Sequence, residues 1–213
     1  MEETSERAKK IIAALKKEYP DARIILNYSN PWELLVATIL SAQTTDIKVN
    51  EVTKSLFKKY RSVEDFAQTP LAELEKDIQT IGLYRNKAKF IKSSAQTILD
   101  KHHSQVPKTM QELTELPGVA RKTANIVLGN AFGIVEGIAV DTHVKRLAQR
   151  LGLSRSRSPE KIEKDLMKVV PKKDWFKLTY LLIDHGRAVC KAQKPHCDKC
   201  VLNEICPSAF KVS

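Results

Sequence analysis

The sequence predicts an all-α protein. Apolar residues recur at helical spacing along most of the chain, and no segment alternates polar and apolar residues as a half-buried strand would. The clearest segment also carries cap residues at both ends. In the first segment, 5–19, Ala8, Ile11, Ile12, Leu15 and Tyr19 form one stripe. NPWELLVATILSAQTTD follows a turn. Its Leu34, Leu35, Ala37, Ile39 and Leu40 leave it apolar nearly all round, which predicts a buried central helix ending abruptly in Gln43, Thr44, Thr45 and Asp46. Further helices are expected over 47–60, 71–79 and 85–101, and another starts after the Pro-Gly pair of LPGVARKTANIVL at 116–128. VDTHVKRLAQRLGL aligns Val144, Leu147, Ala148 and Leu151, with Asp141 as N-cap and Gly152 as stop. Segments 159–170 and 174–188 complete the set.

The bulk properties narrow the function classes. No apolar run approaches the ~18 residues of a membrane span, and the charged start MEETSERAKK does not resemble a signal peptide, so an intracellular protein is expected. The formal net charge of +11 points to a polyanionic partner, most often nucleic acid, or to a solvated lysine-rich surface. With only 7 glycines, the chain lacks the GxGxxG and GxxxxGK[ST] loops that cradle nucleotide phosphates. SRSRSP at 154–159 is its most linker-like stretch.

Two features carry chemistry. The first is a weak repeat: GLYRNKA at 82–88 matches GVARKTA at 118–124, each at the start of a helix, as in a helix–hairpin–helix unit used twice. The second copy has Lys122 where the first has Asn86. A lysine beside Arg121 in a first helical turn adds to the partial positive charge there, which is unfavourable on an ordinary surface. The second feature is four cysteines, Cys190, Cys197, Cys200 and Cys206, spaced C-x6-C-x2-C-x5-C. Disulfides do not suit a chain without an export signal. Spacing alone divides the choice between zinc and a 4Fe-4S cluster. Lys191 and Lys194 lie between the first two cysteines, where a constrained loop without an acid would suit phosphate.

Together, LPGVARKTA, VDTHVKR and the cysteine spacing closely resemble the endonuclease III family, the iron–sulfur DNA glycosylase/AP lyases of the helix–hairpin–helix (HhH-GPD) superfamily. SAQTTD and IGLYRNKA resemble that family's DNA-facing loops, and the similarity covers nearly the whole chain. The resemblance implies a two-domain fold. A six-helix barrel would span 23–133, with its helix–hairpin–helix at about 113–133. A cluster domain would combine 1–22 with 134–213 and hold a 4Fe-4S cluster on the four cysteines of loop 190–206, the active site lying in a cleft between the domains. One departure stands out: where the family hairpin commonly reads LPGVG, this chain has Ala120. A positive φ there would strain alanine by about 1 kcal/mol or more.

The resemblance also implies roles. Lys122 would be the Schiff-base nucleophile, which turns its unfavourable position into an advantage: a nucleophilic lysine must be neutral, and nearby positive charge favours that form. Asp141, otherwise a simple helix cap, would assist deprotonation and stabilise charge on the sugar. Gln43 would fill the hole left by the flipped base and Leu83 would wedge the opposite strand, with Thr44 beside them. Leu116, Gly118, Ala120 and Arg121 of the hairpin would bind phosphate, and His143, Arg146, Lys191 and Lys194 would support the site or the nearby backbone. The expected substrate is double-stranded DNA with a damaged or abasic nucleotide, met by a monomer at the prokaryotic nucleoid. The expected reaction removes an oxidised pyrimidine such as thymine glycol and cleaves by β-elimination. A monofunctional mismatch glycosylase lacks the hairpin lysine, so Lys122 argues against it. A non-catalytic DNA-binding module would bind without breaking a bond.

Overall fold

The computed structural model describes residues 2–211. Among them every regular element is helical, and none of the helices is long and apolar enough to cross a membrane. The chain divides into two compact units, residues 25–136 and residues 1–24 with 137–213.

The first unit is built around α2 (Pro31–Leu40). Asn30 starts it by accepting the Glu33 N–H at 2.9 Å, and Pro31 occupies the first turn, where a missing N–H costs nothing. Trp32 and every residue from Leu34 to Leu40 are buried, as the all-round apolar pattern predicts. Around it pack α3 (Asp46–Lys59), α6 (Tyr84–His102) and α8 (Arg121–Phe132). Three short helices complete the unit: α4 (Val63–Gln68) and α5 (Leu71–Asp77) lie against α6, and α7 (Met110–Glu115) against α8.

The predicted list lacks α4 and α7. Six residues are too few to display a helical period, and both start from caps instead. Ser62 and Asp65 form a reciprocal capping box, while Thr109 accepts the Glu112 N–H at 3.2 Å. The segment expected over 71–79 stops at Asp77, because Ile78 leaves the helical conformation while burying its side chain.

In the second unit, α1 (Glu2–Glu18) packs on α10 (Pro159–Val169) and α11 (Trp175–Ala188), and α9 (Thr142–Arg150) on α10 and α11. One apolar core joins Ile11 and Leu15 of α1, Leu147 of α9, Leu166 of α10 and Leu181 of α11, with Leu202 of the C-terminal segment also fully buried. Lys16 meets Asp174 at 2.5 Å, tying α1 to the start of α11. Gly152 stands just beyond α9 with φ 66°, the left-handed stop that the sequence predicts. After α11 regular structure gives way to turns around a short 3-10 helix, Cys197–Lys199.

Candidate active site and cluster site

The hairpin before α8 is a tight loop fastened at both ends. Val119 N–H donates to the Leu116 carbonyl at 3.1 Å, and Ser94 Oγ of α6 donates to the Pro117 carbonyl at 2.8 Å. Leu116 is 2 % exposed, so its side chain belongs to the core, and its own N–H donates to the Leu113 carbonyl at 3.2 Å. The left-handed position is Gly118, at φ 78°, whereas Ala120 sits at φ −85°, ψ 166°, ordinary extended backbone. The expected strain at Ala120 is therefore absent. Alanine fits because the turn is made two residues earlier. The repeat is also less regular in space than in sequence: in its first copy the left-handed residue is Leu83, one place beyond Gly82.

A Cβ on Gly118 would lie 2.6 Å from the Phe90 ring, which covers the hairpin from α6. Left-handed strain and overlap add, so Gly118→Ala is expected to destabilise the protein by about 2–4 kcal/mol. Equilibrium urea unfolding checks this, and a loss below about 0.5 kcal/mol would show that Phe90 yields freely.

Ala120 offers no side-chain cap to the first turn of α8, where Arg121 is exposed. Lys122 follows as its second residue, half-buried. Asp141 caps α9 in the other unit. Its Oδ1 accepts the Val144 N–H at 2.8 Å, and its Oδ2 lies 3.1 Å from His143 Nδ1. A carboxylate held in this way is fixed in place.

Gln43 and Leu83 lie in adjacent turns of the 25–136 unit. Both are exposed and left-handed, with φ 54° and 59°. Thr44 is half-buried beside them. Beneath lies Lys87, 3 % exposed, its Nζ donating to the carbonyls of Leu40 (2.8 Å) and Ala42 (2.5 Å) and to Thr44 Oγ1 (3.1 Å). Burial lowers its pKa to about 8, the kind of shift that marks reactive amines. Enclosure behind three acceptors nevertheless makes it a structural group.

The four cysteines line one cavity of about 380 Å³, measured with its open mouth. They do not converge as ligands of one ion, and among the described residues no three His, Cys, Asp or Glu side chains do. Donors surround the sulfurs instead. Arg150 Nη1 lies 3.4 Å from Cys190 Sγ, and the Leu202 N–H 3.4 Å from Cys200 Sγ. His185 Nε2 also stands 3.4 Å from Cys200 Sγ, its other ring nitrogen 3.2 Å from the Tyr19 hydroxyl. Burial raises the Cys200 and Cys206 thiols, so a bound cationic centre is needed to keep them as thiolates. A volume lined by four sulfurs and N–H donors fits a cluster.

Arg146 and Arg150, one turn apart on α9, clamp the loop leaving Cys190. Arg146 donates to the carbonyls of Gly186 (3.0 Å) and Cys190 (3.1 Å), and Arg150 to those of Lys191 (2.6 Å) and Ala192 (2.8 Å). The side chains of Lys191 and Lys194 are left exposed on that loop.

Comparison with known proteins agrees with this geometry. Residues 36–172 match the HhH-GPD superfamily of base excision DNA repair proteins, and residues 190–206 match the iron–sulfur binding domain of endonuclease III. Endonuclease III of Synechocystis sp. is 51% identical over 209 residues, covering 98% of this chain and 95% of its own. That of Bacillus subtilis is 51% identical over 194 residues, covering 91% and 88%. The chain belongs to the endonuclease III family. Two solved structures, endonuclease III bound noncovalently to DNA and endonuclease III trapped as a covalent DNA intermediate, each match with TM-score 0.93 at 47% identity, covering 97% of both chains.

Membership in the endonuclease III family makes this a base excision DNA repair enzyme that carries a 4Fe-4S cluster. Several residues of the endonuclease III fold here escape sequence reasoning. Lys87 and His185 bear no local mark of burial, and Phe90 reads as one more apolar helix residue. Only the i, i+4 spacing of Arg146 and Arg150 hints that they act together.

Proposed function

We propose that this chain removes oxidised pyrimidines such as thymine glycol from duplex DNA and then cleaves the strand through a Schiff base on Lys122. It is a DNA glycosylase and AP lyase. The observation that carries the assignment of the nucleophile is the position of Lys122, in the first turn of an uncapped helix directly after the Gly118 hairpin.

The N-terminal end of α8, without a side-chain cap, suits a DNA phosphate, which positions the duplex without reading its sequence. Gly118, Ala120 and the backbone of Leu116 belong to that contact, with Arg121 beside them. The target nucleotide leaves the stack, Gln43 takes its place, and Leu83 wedges against the opposite strand. Exposure and left-handed backbone at both residues support this reading, since such backbone gathers at functional sites. Thr44 holds the base of the Gln43 turn.

The amine of Lys122 attacks C1′ of the deoxyribose as the C1′–N bond to the base breaks, and the electron pair leaves with the base. Asp141 helps remove the lysine proton and offsets positive charge developing on the sugar, while His143 holds its second oxygen. Ring opening gives the Schiff base. Loss of a C2′ proton then expels the 3′ phosphate and breaks the strand on the 3′ side of the lesion.

Cys190, Cys197, Cys200 and Cys206 hold the 4Fe-4S cluster. When bound, the cluster supplies cross-linking and redox sensitivity rather than a catalytic step, and it fixes the loop that offers Lys191 and Lys194 to phosphate. The barrel over 23–133 and the cluster domain over 1–22 and 134–213 act as one monomer at the prokaryotic nucleoid.

Borohydride trapping on a duplex with a single thymine glycol tests the proposal. A covalent adduct is expected with the lesion duplex and none with the undamaged one. Release of the base without an adduct would instead identify a monofunctional glycosylase.

A further inference from the structure

The lysine in the first copy of the repeat has no part in the chemistry above, yet it is among the most enclosed charges in the protein. Lys87 has three ammonium N–H groups and meets three oxygens. Lysine has no acceptor, so this set suits the charged form, whereas a neutral amine would turn a lone pair toward an oxygen. One reading is a plain helix cap. Lys92, farther along α6, does that job by donating to the carbonyls of Ala67 and Thr69 at the C-terminal end of α4.

Lys87 differs in what its acceptors flank. Ala42 and Thr44 are the two chain neighbours of Gln43, so the ammonium grips the exposed left-handed turn on both sides of its tip. Leu83 stands one helical turn before Lys87, and the Lys87 N–H donates to the Leu83 carbonyl at 3.1 Å. Gly82 brings the turns together: a Cβ there would stand 3.4 Å from the Gln43 carbonyl oxygen and 3.7 Å from Thr44 Oγ1. Left-handed conformations of residues other than glycine persist only where their surroundings impose them.

We propose that Lys87 is a positioning residue: it locks the Gln43 turn to the Leu83 turn and so sets the spacing between the two side chains that enter the duplex. This rests on the reading of Gln43 and Leu83 given above. Its consequence is selective. Extruding a stacked base needs both side chains in register, while a site already unstacked does not.

The test uses Lys87→Met holoenzyme, with Lys92→Met as the capping control, each checked for cluster absorbance and thermal unfolding. Single-turnover rates are measured on a thymine glycol duplex and on an abasic single strand. Base release from the duplex is expected to fall by about 10²-fold for Lys87→Met, the usual cost of misplacing a group by about 1 Å. Cleavage of the abasic strand should change by less than about threefold, and Lys92→Met should show no such split. Lys87→Gln, which keeps two N–H donors on a shorter arm, provides the same readout should Lys87→Met not fold. Equal losses on both substrates, or no loss on either, would overturn the proposal. Gln43→Ala and Leu83→Ala run alongside. If neither shows the split, the reading of the two side chains fails; if both do and the Lys87 variants do not, the lock alone fails.

Discussion

Replacing Lys122 with alanine should abolish strand cleavage and borohydride trapping while leaving damaged DNA bound. The loss should be at least about 10³-fold in single-turnover cleavage, because without the amine no Schiff base can form. Affinity should fall far less. The phosphate contact assigned to the hairpin uses backbone groups, and Arg121 stays in place beside it. Removing one cation should weaken binding by roughly a single phosphate contact, seen as a reduction of about 1 in the slope of log affinity against log salt. Stability should hardly change, since α8 keeps its start and Lys122 is not among its buried residues. Two measurements separate the outcomes: trapping on a thymine glycol duplex, and binding to the same duplex at two salt concentrations. If Lys122→Ala still traps DNA, the nucleophile lies elsewhere. If it loses binding in proportion to cleavage, Lys122 is a phosphate contact.

The candidate site was legible in the sequence where a residue type stands out from its local context. Lys122 is conspicuous because a cation at a helix N-terminus is out of place, and Asp141 because it sits where a cap belongs. In the structure it is a cap, with the Val144 N–H on one oxygen and His143 on the other. The fold was legible where periods are long. The buried α2 and the stripe of α9 follow directly from spacing, while α4 and α7, at six residues, do not.

What stayed hidden depends on partners distant in sequence. Lys87 donates to oxygens more than forty positions away, and His185 contacts Tyr19 from 166 positions away. Neither residue differs locally from an exposed one, so only the fold reveals its role. The Ala120 departure shows the converse. A motif compares letters, but the backbone had placed its left-handed turn at Gly118, where the sequence already supplied glycine.

Loss of the cluster should produce the second large effect, confined to one end of the chain. Beyond α11 the described residues form only bends, turns and a three-residue 3-10 helix. What holds them is Leu202 in the core, the clamps from Arg146 and Arg150, and the cluster proposed for the cavity that the four cysteines line. Cys200 is central among these, because its sulfur accepts the Leu202 N–H and lies 3.4 Å from His185 Nε2. Cys200→Ala should therefore yield protein without the broad absorbance near ~400 nm and with little iron. Its helical circular dichroism should stay close to wild type, because the eleven α-helices among the described residues all end before Cys190. Limited proteolysis with trypsin should cut first after Lys191 or Lys199, exposed residues in a segment no longer fastened. Binding of undamaged duplex should weaken along with this disorder, since the loop bearing Lys191 and Lys194 would no longer be held rigid. Full iron content and unchanged absorbance in Cys200→Ala would remove that cysteine from the ligand set, and stoichiometric zinc in anaerobically prepared wild type would replace the cluster with a different centre. General unfolding of both units would show that the cluster stabilises more than its own loop.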